Sequence, residues 1–155
     1  MEFTGQFPTR TSTETAAKKL ADIRCISQCL PTLGKLEIIT DDEFLATFKV
    51  DLSEVASKIH LDYLSRLTVR MHFKYIEKRT DSIVLEGSGR AAGSKLDIRL
   101  RLKITEANDE SLVAWTAQAE FGRLLKIFGE KLVRDTSATI INDLTECLST
   151  KLASP

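Results

Sequence analysis

Three cysteines and two histidines are the residue types in this 155-residue chain that could hold a metal or work as a nucleophile and base. Cys25 and Cys29 stand four apart, which puts them on one face of a helix, and with His60 or His72 they would supply the donor types zinc takes. The spacing does not fit the familiar zinc modules, which use a second close pair, so no metal is expected and the cysteines are read as small hydrophobes. With Cys147 the set is odd and sparse, unlike the framework of a stapled secreted domain, and three reduced thiols are the simpler account. His72 alternates with Arg70 and Lys74 and reads as a solvent-facing strand residue, leaving His60 as the histidine open to a general-base role. Gly87, Gly89 and Gly93 have the wrong spacing for a dinucleotide loop, and strand rather than helix follows them. Arg90 between them is either a solvated edge residue or a polar contact at a cavity rim. There is no glycine-flanked serine and no phosphate loop, so no catalytic residue is nominated and no cofactor is expected.

The elements that must position these residues follow from periodicity. Phe3, Gly5 and Phe7 alternate with polar residues as a half-buried strand closed by Pro8. Thr11 and Glu14 have capping-box spacing ahead of a helix running to about Ile23, and a second short helix over Arg24 to Leu30 is stopped by Pro31. Leu36 and Ile38, a turn at Asp41 and Asp42, then Phe44, Ala46, Phe48 and Val50 describe a hairpin. Residues 52 to 65 fit both periods; Ser53 as an N-cap, with Val55, Ile59 and Tyr63 on one face, favours a helix. Strands return at Leu67 to Tyr75, Ser82 to Ala92, Lys95 to Thr105 and Ser111 to Phe121, joined by turns at Gly93 and Ser94 and at Asn108 and Asp109. After Gly122 a stripe from Leu124 through Leu132, Ile140 and Leu148 to Leu152 reads as one helix of up to about 30 residues, with a bend expected at Asp135 to Thr139.

Composition sets the outer bounds. At 43% apolar the chain fills one ordinary core, and residues 1–155 are read as a single α+β domain. Twenty-two basic residues balance twenty-two acidic ones, so the global positive field that favours nucleic acid is missing and no nucleic-acid partner is expected. The sequence has neither an apolar run long enough to span a bilayer nor a signal-peptide pattern at its start, which predicts a soluble, cytoplasmic protein.

One antiparallel sheet must then cover an amphipathic helix longer than a sheet is usually wide, which demands strong curvature. Gly87, Gly89 and Gly93, with the small residues Ala117 and Ala119 in the last strand, supply the means. Two interiors satisfy this pattern: the small residues let the helix pack close, or they leave an apolar volume that takes a small molecule. In the second case Leu30, Phe48, Trp115, Phe121, Leu125, Phe128 and Leu132 are the candidate lining with Ala117 and Ala119, and Ile59, Tyr63 and Arg90 the candidate lid and rim.

The order of elements resembles the helix-grip fold of the START and birch-pollen-allergen (SRPBCC) superfamily. More narrowly, MEFTGQF, CLPTLGKLE (Cys29 to Glu37), GSGRAAGSKLDI (Gly87 to Ile98) and AWTAQAEFGRLLKIFGEKL (Ala114 to Leu132) resemble the CoxG family of carbon monoxide dehydrogenase subunits. The resemblance implies a curved sheet of about seven strands around a long C-terminal helix, with a hydrophobic cavity between them. It also implies a non-enzymatic accessory role beside a molybdenum-containing carbon monoxide dehydrogenase or another molybdenum hydroxylase, carrying a quinone or lipid, with peripheral contact at the inner face of a membrane. Bacterial members often carry a hydrophobic C-terminal tail, whereas this sequence stops at Leu152 to Pro155, which argues against direct anchoring. Residues 54 to 64 read as an insertion, and an amphipathic lid over the cavity is expected there. The rival readings are a protein-interaction subunit with a filled core, and a cyclase or hydrolase using His60 or Arg90.

Overall fold

The computed structural model describes residues 1–31, 33–52 and 66–153. Seven strands form one antiparallel sheet: β1 (Glu2–Thr9), β2 (Leu33–Thr40), β3 (Glu43–Asp51), β4 (Arg66–Lys78), β5 (Ser82–Ala91), β6 (Ser94–Ala107) and β7 (Glu110–Glu120). Their order is β1-β7-β6-β5-β4-β3-β2, a meander from β2 to β7 with the first strand returning beside the last. Helices α1 (Thr13–Leu20) and α2 (Ile23–Ser27) follow β1, and α3 (Leu124–Phe128) and α4 (Glu130–Ala153) follow β7.

Alternation decides the faces. In β4 Val69, Met71, Phe73 and Tyr75 are buried, whereas Arg70 and Lys74 face solvent. Curvature is built where backbones close on one another: a Cβ on Gly89 would overlap the Arg70 carbonyl oxygen and come within 2.7 Å of the Met71 sulfur. Further bending comes from the register shift between Tyr75 and Glu77 in the β4–β5 ladder.

Several boundaries differ from the sequence reading. Pro8 does not close β1: it pairs with Leu112 on an edge strand, where a missing amide costs the ladder least. The α1 cap is Ser12 rather than Thr11, its Oγ accepting from the Thr15 amide at 3.2 Å. Helix α1 ends at Leu20, and Asp22 caps α2 through the Arg24 amide at 2.9 Å, so the break falls before Ile23. The C-terminal helix is interrupted at Gly129, whose φ of 85° only glycine adopts readily, and α4 runs unbroken through Asp135 to Thr139. The expected helix and lid over 52–65, with His60, Ile59 and Tyr63, lie outside the described residues except for Leu52, which is buried.

The reading of three reduced thiols is corrected. Cys29 and Cys147 form a disulfide with Cα atoms 5.6 Å apart, tying the turn after α2 to α4 across 118 residues of chain. The third cysteine, Cys25, is free and half-buried, with burial pushing its thiol pKa up.

Candidate functional site

The inner face of the sheet and the long helix do not meet everywhere. At one end Leu20, Phe44, Ile83, Val113, Leu148 and Leu152 are completely buried, and the Tyr75 hydroxyl donates to the Leu20 carbonyl at 2.8 Å. That bond, reached from a buried ring, satisfies a carbonyl in the last turn of α1. Burial also drives the Tyr75 phenol pKa far upward, so it stays a donor.

At the other end the two layers separate around an apolar cavity of about 230 Å³. Sheet residues Phe48, Val69, Met71, Ile98, Ala117 and Ala119 form its floor. Its helical wall comes from Ile26 and Leu30 at α2, Phe128 on α3, and Leu132, Ile140 and Leu144 on α4. The small side chains at 117 and 119 keep the floor low, and the wall residues other than buried Ile26 are half-buried rather than enclosed, which leaves the volume unfilled.

Of the lining residues expected from sequence, Leu30, Phe48, Phe121, Phe128 and Leu132 border this cavity together with Ala117 and Ala119. Two do not. Trp115 points to the same side of β7 but two residues further along, where its ring covers Gly5; a Cβ at that glycine would lie 2.7 Å from the indole Cε2. Leu125 falls on the outer side of the short α3 helix and is 36% exposed, because the break at Gly129 changes the helical phase of the stripe. Arg90 does not border the cavity; it sits on the outward face of β5, opposite Arg70 and Lys95. Phe3, Val69, Met71 and Ile98 join the lining without having been singled out by sequence, although strand alternation in β1, β4 and β6 marks all four as inward-facing.

Thr136 and Ser137 on α4 border the cavity, as do Asp97 and Glu120 from outward positions of β6 and β7, yet the surface facing the cavity is almost wholly apolar. No lysine, arginine or histidine lines it among the described residues. A second, larger depression of about 700 Å³ lies on the outer face, bordered by His72, Lys74, Glu86 and Arg99. Arg99 pairs there with Glu86 at 3.3 Å and the His72 ring lies 3.1 Å from Glu43, and with both signs of charge interspersed it reads as a solvated surface rather than a site. Among the described residues there is no cluster of side chains suited to a metal ion, and no helix is long and apolar enough to cross a membrane.

A curved seven-stranded antiparallel sheet gripping a long C-terminal helix, with two short helices after the first strand, is the helix-grip architecture of START-like proteins. Residues 5–153 match the CoxG family of carbon monoxide dehydrogenase subunits, and the chain belongs to that family. No curated protein matches it in sequence. Among solved structures, a conserved protein from Geobacillus kaustophilus is 18% identical with a TM-score of 0.81, covering 99% of this chain and 95% of that one. A START superfamily protein from Mycobacterium smegmatis is 11% identical with a TM-score of 0.65, covering 97% and 96% of the two chains. The di-domain ARO/CYC StfQ from the steffimycin biosynthetic pathway is 12% identical with a TM-score of 0.65, covering 98% of this chain and 50% of that one. At these identities the likeness is one of fold.

Proposed function

We propose that this protein is a non-enzymatic carrier that holds a neutral, apolar small molecule, a quinone or an uncharged lipid, between the sheet and α4. The observation that carries this reading is the cavity at the Ala119 end, lined by hydrocarbon and free of cationic side chains among the described residues. A buried carboxylate or phosphate headgroup needs a counter-charge or several hydrogen bonds to offset its desolvation, and this almost wholly apolar lining, with Asp97 and Glu120 at its border, offers neither. A quinone ring or an uncharged lipid, which carries no ionic charge to desolvate, fits that lining; a fatty-acid carboxylate does not. At about 230 Å³ the volume is below the usual range of roughly 300–1,000 Å³ for small-molecule sites, so a ring or short chain enters and a longer tail projects.

Membership of the CoxG family supports a molybdenum-containing carbon monoxide dehydrogenase as the partner to which the carrier is accessory. Native mass spectrometry of protein purified from its own organism, followed by extraction of bound small molecules, tests the reading. A stoichiometric neutral quinone or lipid is expected. An empty protein that also ignores added quinone would reject the carrier and leave an interaction subunit.

A further inference from the structure

The disulfide stands at the boundary between the two halves of α4. Beyond Cys147 the helix is fixed by Leu148 and Leu152, each 1% exposed, by the Lys19 Nζ donating to the Lys151 carbonyl at 3.1 Å, and by a Lys151–Gln28 hydrogen bond. Before Cys147, Leu132, Ile140, Ile141 and Leu144 line the cavity, and Val133 is the one buried residue of that stretch. On the facing side, Cys29 lies between Ile26 and Leu30, which line the same cavity. The covalent tie therefore joins the two helical walls of the cavity at the point where α4 passes from firmly to loosely held.

A structural staple is not what this fold lacks. A chain of 155 residues with a continuous buried cluster spanning the sheet and α1 closes its core without one, unlike the small secreted domains that depend on disulfides. The two cysteines also differ in exposure: Cys29 is 8% exposed, whereas Cys147 is partly open to solvent. The remaining thiol, Cys25, is buried enough to stay protonated and so is a poor attacking group. Exchange has to begin from outside, at Cys147.

We propose that Cys29 and Cys147 form a redox site that sets how fast the cavity exchanges its cargo, closed as the disulfide and released by a dithiol reductant of the thioredoxin class; the cargo half of this statement rests on the carrier reading above. In the forward step a reductant thiolate attacks the Cys147 sulfur, the Cys29–Cys147 bond breaks, and Cys29 leaves as a thiolate that takes up a proton. The second reductant thiol then displaces Cys147 from the mixed disulfide. Two electrons pass from the dithiol to the cystine, and the reductant leaves as its own disulfide. Release of the tie leaves residues 148–152 seated and frees the stretch before them to move away from α2.

The full-length protein is compared in its oxidised form, its dithiothreitol-reduced form and as the Cys29→Ser/Cys147→Ser variant, by amide hydrogen exchange and by release of the neutral dye Nile red. Reduction is expected to accelerate exchange at residues 130–146 and dye release by at least fivefold, with the sheet and residues 148–152 unchanged. Should the double variant fold poorly, reduced wild type carries the comparison, and Cys25→Ser is expected to behave as wild type. Equal hydrogen exchange in the two redox forms, or acceleration spread over the whole fold, overturns the latch. Dye that binds both forms and leaves at equal rates overturns the latch while the carrier reading stands. Absence of dye binding in both forms overturns the carrier reading, and the control of cargo with it.

Discussion

The two ends of this interior are made from the same sheet and the same helix, yet one is packed solid and the other is hollow. At the packed end the α4 residues Leu148 and Leu152 meet α1 and the sheet with no exposed surface to speak of, and the Tyr75 hydroxyl is paired with the Leu20 carbonyl. At the hollow end Leu132, Ile140 and Leu144 border a cavity whose floor mixes large residues such as Phe48 and Met71 with Ala117 and Ala119, and α4 is held by fewer buried residues. Close packing is the normal state of protein interiors, and forgoing it sacrifices dispersion contacts along every wall. The solid end supplies the stability that lets the other stay open.

This contrast is sharpest under truncation. Leu148→Ala is expected to destabilise by about 2–5 kcal/mol, since a fully enclosed side chain leaves a cavity that its neighbours cannot fill. Ile140→Ala, on the same helix beside space that is already empty, is expected to cost less than half as much in urea unfolding. Equal losses would mean the cavity collapses in solution. Enlargement inverts the comparison. Ala46→Phe, in the packed part of β3, is expected to overpack by about 1–3 kcal/mol or more. Ala119→Phe should fit the open volume with a smaller loss and block uptake of a hydrophobic dye; severe unfolding of this variant would show that the space is filled. A smaller effect, about 1 kcal/mol, is expected for Tyr75→Phe, which leaves the Leu20 carbonyl buried without its donor.

Much of the fold is legible in the sequence because strand alternation is a direct consequence of one buried face: Val69, Met71 and Phe73 against Arg70 and Lys74 permit one orientation of β4. That Ala117 and Ala119 face inward is legible for the same reason, whereas alternation does not say whether the space over them is filled. What escapes depends on contacts that sequence distance hides. Cys29 and Cys147 are 118 residues apart and their pairing follows from α2 meeting α4, which no periodicity encodes. Leu125 falls off the cavity because a helical stripe cannot be extended across Gly129, where a positive φ resets the phase. Trp115 has the right face but the wrong depth: alternation reports which side of a sheet a residue takes, not which end of the interior it fills.

The hollow end has a polar tie of its own, and it offers the finest test of the comparison. Ser94, 2% exposed at the start of β6, donates through Oγ to the Phe121 carbonyl at 3.0 Å and accepts from the Arg123 amide at 2.8 Å. These bonds clip the chain between β7 and α3 to the β5–β6 hairpin, and Gly122 lies so close that a Cβ there would approach Oγ to 2.8 Å. Because α3 carries Leu124 and Phe128 to the cavity, the clip fixes one wall of it by hydrogen bonds. Ser94→Ala is expected to cost about 1 kcal/mol, since two backbone groups lose their partner while the short α3 helix keeps some access to water. Its larger signature should be kinetic: faster release of a bound dye with little change in urea midpoint. A loss of stability as large as that of Leu148→Ala, with release unaltered, would instead place Ser94 in the packed core and erase the distinction between the two ends.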